Sequence, residues 1–150
     1  MKVLLCVDGS GGSVAAARRV ASLQSELRSL EVTLLYVDIP VAGRISTLLE
    51  PDAVERMHRT NAQAALEAAR EPLREARVAT RERIDVGHVA ERIASIAARG
   101  KFDLIAIGSR GASPFADWLL GSTTAEVLAR TKVPVLVVKP AIAARRRAKR

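Results

Sequence analysis

Val3-Leu4-Leu5-Cys6-Val7-Asp8-Gly9-Ser10-Gly11-Gly12-Ser13 opens the chain with an apolar run, a carboxylate and a turn rich in glycine and serine. Both parities of the run are apolar, so a strand built from it has two faces to bury. That is the pattern of a parallel sheet covered by helices on both sides. The period then changes: Ala16, Val20, Leu23, Leu27 and Leu30 recur at spacings of three and four, with Arg18, Arg19 and Arg28 on the opposite face. This is the signature of an amphipathic helix laid against a sheet.

The rest of the chain repeats the strand-turn-helix unit. Apolar runs recur at residues 32–37, 78–84, 104–107 and 133–138. The run at 78–84 alternates with Thr80, Arg81 and Arg83, which predicts an edge strand. An Ala-rich helix is predicted over 51–77, with Val54, Met57, Ala64 and Ala68 inward and Pro72 kinking or ending its last turns. Another spans 89–99, with Ile93, Ile96 and Ala97 inward and Gly100 as its stop. The last begins near Ser122, where Thr123 and Glu126 have capping-box spacing, and ends before Val133 and Pro134. The expected fold is α/β, a single open doubly wound parallel five-stranded sheet with helices on both faces. Ligands of such sheets bind outside the carboxyl ends of the strands, where the winding reverses. Function is therefore expected in the loops after strands 1, 2 and 4.

The 150 residues suffice for one domain and are too few for two. With 49% apolar and only 3% aromatic residues, the core must be aliphatic. The lone Cys6 excludes an intrachain disulfide. No apolar run approaches the roughly 18 residues of a membrane span, and the chain reads as cytoplasmic. Of the formal charge of +8, five positive charges fall in Arg145, Arg146, Arg147, Lys149 and Arg150. Residues 1–140 are expected to form the domain and 141–150 a basic, disordered tail. No aromatic residues are interleaved with the basic ones, which argues against a nucleic-acid partner.

Two segments carry candidate chemistry. Asp8 sits at the tip of strand 1, before a glycine-rich turn into a helix whose first N–H groups are free for an anion. The segment is neither a Walker A loop nor a dinucleotide fingerprint, since Val14 stands where the last glycine of the latter belongs. Its bland alternative is that Asp8 and Ser13 cap the helix. After strand 4 come Gly108-Ser109-Arg110-Gly111, nine residues, then Gly121-Ser122-Thr123-Thr124 opening a helix. The paired glycines allow close backbone approach, Arg110 can reach a phosphate, and Gly121 and Ser122 bring N–H groups and a hydroxyl to a positive helix end. His58 and His88 are expected to be solvated surface residues.

This chain resembles the universal stress protein family, whose hallmark of G, two residues, G, nine residues, then G and Ser or Thr is matched by Gly108, Gly111, Gly121 and Ser122. The resemblance covers nearly the whole chain up to Pro140. It implies the strand order 3-2-1-4-5 and an ATP site in which Asp8 lies near the ribose and the metal-bound phosphates. The main chain at Val37 would read the adenine edge, and Val7 and Ile107 would wall the base pocket. Gly108, Arg110 and Gly111 would face ribose and phosphates, while Gly121, Ser122 and Thr123 donate to the distal phosphates. Mg²⁺ would accompany ATP, with Asp8 as an indirect contact, since bound phosphates supply much of its coordination. A homodimer through Val133-Pro134-Val135-Leu136-Val137-Val138 is also implied. Pro114 and Asp117 depart from the family pattern, and Asp117 could oppose phosphate.

The expected function is a nucleotide-dependent regulatory or stress-response protein, not a dedicated enzyme, with at most slow ATP hydrolysis. Two alternatives stand beside it. One is a dimeric interaction module with a vestigial pocket. The other is a phosphoreceiver, which needs paired acids at strand 1, whereas Asp8 is followed by Gly9.

Overall fold

The run at the start of the chain is extended because alternate side chains find a covered face on each side of it. Val3, Leu5 and Val7 enter one core with Ala16, Ala17 and Val20, whereas Leu4 and Cys6 enter another with Ile93, Ile96 and Ile105. The computed structural model describes residues 1–41, 50–109 and 120–140. Within them lie strands β1 (Lys2–Cys6), β2 (Glu31–Asp38), β3 (Ala79–Val86), β4 (Leu104–Gly108) and β5 (Val135–Val138). Between the strands run helices α1 (Gly11–Ser22), α2 (Pro51–Glu75), α3 (Val89–Arg99) and α4 (Ser122–Arg130). All four strand pairings are parallel, in the order β3-β2-β1-β4-β5. The first core holds side chains of α1 and α2, and the second those of α3 and α4. The winding therefore reverses between β1 and β4, as a doubly wound sheet requires.

Register shapes the upper rim of the sheet. Pairing of β1 ends at Cys6 with Leu35 on one side and at Leu5 with Ala106 on the other. Its neighbours continue, β2 to Asp38 against Val86 and β4 to Gly108 against Val138. Both overshoot β1, so the tip of β1 is the floor of a notch.

Several local expectations are corrected. The leucine spacing after α1 continues, but the helix does not: it stops at Ser22, and a 3₁₀ turn follows at Leu23–Ser25. Ser22 Oγ donates to Arg19 O and Ser25 Oγ to Ser22 O, so side chains occupy carbonyls that further helix would use. Leu23, Leu27 and Leu30 still pack on the first core. In α2 the inward stripe is His58, Ala62, Ala65, Leu66, Ala69 and Leu73, while Met57, Ala64 and Ala68 are exposed. Alanines on both faces blur the phase of such a helix. Pro72 sits inside α2, which runs one residue short of a further turn beyond it. The end is made by Arg77 in the left-handed region (φ 55°), with Val78 N–H donating to Leu73 O at 3.0 Å. α3 ends by the same device. Gly100 is its C-cap at φ −78°, but the left-handed residue is Lys101 (φ 51°).

The capping box is not formed. Gly121 is the N-cap of α4, no side chain among the described residues caps it, and Thr123 lies inside the first turn. β3 is an edge as expected, yet it does not alternate: all its residues but Asp85 are exposed. Its Arg81, Glu82 and Arg83 suit an edge that must not pair with other chains. β5 begins at Val135 and lies at the other edge with four half-buried residues.

Candidate functional site

Glycine chemistry closes the notch above β1. At the end of β4, a Cβ on Gly108 would stand 2.6 Å from Gly12 C and 2.8 Å from Gly12 O. Only glycine lets this strand tip meet the first turn of α1. On the far side, Thr124 Oγ1 donates to Gly108 O at 3.0 Å, and Gly121 N–H donates to Ser109 O at 2.7 Å. Two hydrogen bonds thus fasten the start of α4 to the tip of β4.

That start is electropositive. Ser122 and Thr123 are exposed, no side chain among the described residues caps the first turn, and no acid stands in it. Unpaired N–H groups at an uncapped helix end favour an anion. α1 differs: Ser10 Oγ accepts from Ser13 N–H at 3.2 Å and caps it. Asp8 is not the cap. Its Oδ1 accepts from Ser10 N–H at 2.9 Å, and the residue is exposed at the β1 tip. Gly9 turns the chain in the left-handed region (φ 78°).

The sequence-predicted residues fall as follows. Val7, Asp8, Val37, Ile107, Gly108, Gly121, Ser122 and Thr123 all lie at the carboxyl rim of the sheet, on the tips of β1, β2 and β4 and the first turn of α4. Arg110 and Gly111 lie outside the described residues, as do Pro114, Asp117 and the basic tail. The side chains of Val7 and Ile107 diverge, Val7 into the α1–α2 core and Ile107 into the α3–α4 core. Val7 N–H donates to Leu35 O at 2.9 Å, the last bond from β1 to β2. Since Leu35 turns its main chain toward β1, Val37 two residues on turns the same way, beyond the end of its neighbour.

One cluster escaped the sequence reading. The Asp38 carboxylate accepts from His58 Nδ1 at 2.8 Å, from Asn61 Nδ2 at 3.1 Å and from Ile39 N–H at 2.9 Å. His58 is buried, at 9% exposure, rather than solvated. Burial pushes the Asp38 carboxyl up, but hydrogen bonds from His58, Asn61 and Ile39 outweigh it and hold the group below the usual carboxylate range. Burial, then the charges of Asp38 and Asp8, push the neighbouring Tyr36 phenol up. The available signal was His58 and Asn61 at helical i, i+3 spacing, hidden by the misphased stripe. A further buried group, Ser109 Oγ, has no hydrogen-bond partner among the described residues.

A model of the universal stress protein family matches residues 1–139. The chain belongs to the universal stress protein family. A curated relative, the universal stress protein Slr1230 of Synechocystis, is 31% identical over 142 residues, which is 92% of this chain but 42% of that protein. This universal stress protein thus spans less than half the length of that relative. Among solved structures, the protein MJ0577 is similar at 28% identity and TM-score 0.78, over 92% of this chain and 94% of that one. A universal stress protein solved in complex with cAMP is similar at 27% identity and TM-score 0.63, over 94% of this chain and 98% of that one.

The rim fits a phosphorylated ligand in its donor chemistry: a helix start with exposed Ser122 and Thr123, and no acid in the first turn of α1 or α4. For a metal, no group of three His, Cys, Asp or Glu side chains gathers among the described residues. A divalent ion here would have to arrive with ligands of its own, beside the Asp8 carboxylate at the β1 tip. Among the described residues no helix is long and apolar enough to cross a membrane.

Proposed function

We propose that this universal stress protein binds ATP with Mg²⁺ at the rim between β1, β2 and β4, and acts as a nucleotide-dependent regulatory protein rather than a dedicated enzyme. The observation that carries the reading is the uncapped α4 start, held to the β4 tip through Gly121 N–H and Thr124 Oγ1. The cAMP complex of a 27% identical relative supports an adenine nucleotide as the ligand class.

In this reading Ser122, Thr123 and the free N–H groups behind them hold the distal phosphates, with Arg110 and Gly111 added from the loop after β4. The main chain of Gly108 lies beside the ribose and phosphates, while the main chain of Val37 reads the base between the backbone tips of Val7 and Ile107, whose side chains are buried in opposite cores. Mg²⁺ supplies neutralisation of phosphate charge, and Asp8 faces it indirectly. Residues 1–140 are the binding domain, residues 141–150 a basic appendage, and the setting cytoplasmic. A second copy pairs along β5, whose apolar residues are only half-buried at the sheet edge.

Parallel calorimetric titrations with ATP, ADP, AMP and cAMP test the ligand. Affinity for ATP with Mg²⁺ is expected to exceed that for AMP, and Ser122→Ala is expected to narrow the gap. Equal binding of all four, unchanged by Ser122→Ala, contradicts a phosphate site at α4.

A further inference from the structure

We propose that His58 and Asn61 are positioning residues for the base half of this site, holding the overhanging tip of β2 and with it the main-chain edge of Val37. The assignment rests on the nucleotide reading above. Tyr36, Val37 and Asp38 run past the last pairing of β1, at Cys6 with Leu35. On the other side they pair only with β3, an exposed edge strand. An overhang supported from one side needs another anchor if its free backbone edge is to keep a fixed position.

α2 supplies that anchor. His58 and Asn61 stand one helical turn apart and both donate to Asp38 Oδ2, at 2.8 Å and 3.1 Å. A carboxylate only accepts, so the His58 proton lies on Nδ1. Side-chain exposures of 11% for His58 and 16% for Asp38 keep water from competing. Hydrogen bonds to an ionised group in such a place are the stronger kind. The same stretch of α2 backs the floor of the notch: a Cβ on Gly9 would stand 3.3 Å from Ala65 Cα. Residues 58–65 of one helix therefore support both the tip of β1 and the tip of β2. None of these groups is placed at the phosphate end, so their effect should be confined to what all adenine nucleotides share.

The test compares wild type, His58→Phe, Asn61→Ala and the conservative His58→Gln by titration with adenosine, AMP and ATP with Mg²⁺, and by amide exchange without ligand. His58→Phe is expected to weaken all three ligands by one common factor of about tenfold, or about 1.4 kcal/mol. His58→Gln, which retains an N–H donor, should recover most of that loss. Without ligand, Gly87 N–H, which donates to Asp38 O at 2.9 Å, should exchange faster in His58→Phe, while Leu34 N–H in mid-strand stays as protected as before. Adenosine affinity and Gly87 exchange both unchanged in a folded variant overturn the assignment, as does a loss that grows with the number of phosphates. Asn61 is exposed, so Asn61→Ala carries the same comparison if His58→Phe does not fold. Wild type that binds neither adenosine nor ATP overturns the nucleotide reading and this assignment together. Wild type that binds both with unaltered variants overturns this assignment alone.

Discussion

Gly108 shows how little room the rim leaves. A methyl group there would lie 2.6 Å from Gly12 C, a backbone atom that cannot swing aside. Gly108→Ala should therefore part the β4 tip from α1 and lower stability by about 1–3 kcal/mol, as overpacking does. A denaturant midpoint unchanged from wild type would contradict that close approach. Asp8 separates charge from fold. Asp8→Asn keeps a side-chain oxygen for Ser10 N–H, so stability should stay within about 0.5 kcal/mol of wild type. Affinity for ATP with Mg²⁺ should fall, and AMP without metal should be affected less. Loss of both to the same degree would deny Asp8 any part on the metal side. That Gly108, Gly121 and Ser122 would stand at a strand tip and a helix start was legible in the sequence, because glycine and hydroxyl spacing is local chemistry. Asp38 and His58 were not, because their bond joins residues 20 apart and depends on the rotation of α2.

At the scale of elements, helix ends and tethers decide local stability. Lys101 holds a left-handed φ of 51° where an L side chain is strained. Lys101→Gly should relieve it and raise stability by about 0.5–1 kcal/mol, read from thermal or denaturant midpoints. A fall in the midpoint would mean that the Lys101 side chain does more than the backbone suggests. At the tip of β3, Asp85 accepts two hydrogen bonds from Arg92 of α3, at 3.0 Å and 2.9 Å. Burial pushes the Asp85 carboxyl up, but Arg92, Val86 N–H and Arg83 outweigh it and hold it below the usual range. A carboxylate depressed on folding stabilises fully above its unfolded value of about 4, and that contribution disappears as pH falls through the lower folded value. Arg92→Ala should thus lower the urea midpoint near neutral pH and differ less from wild type in acid. Parallel curves for the two proteins across that range would contradict the tether. The charged character of β3 marked an edge from sequence alone, whereas the non-glycine caps at Arg77 and Lys101 carried no local signal.

For the whole molecule, the doubly wound α/β architecture was readable because strand runs alternate with helical segments along the chain, whereas the strand order came from the resemblance to the family. The notch was not readable, because it arises from register: β2 and β4 outrun β1, and no single strand encodes that difference. The two overshooting strands and the first turn of α4 meet at one end of the sheet, where α4 has no side-chain cap from the described residues. We propose that ATP binds at this end. Gly121 offers a test, since its φ of −57° and ψ of 145° are open to any residue, so a valine there strains no backbone dihedral. Calorimetric titration of ATP with Mg²⁺ into wild type and Gly121→Val is the most direct measurement. Micromolar-range binding by wild type that Gly121→Val loses, with both proteins equally stable, is the predicted result. No heat from wild type at millimolar ATP, or equal binding by the two proteins, would contradict it.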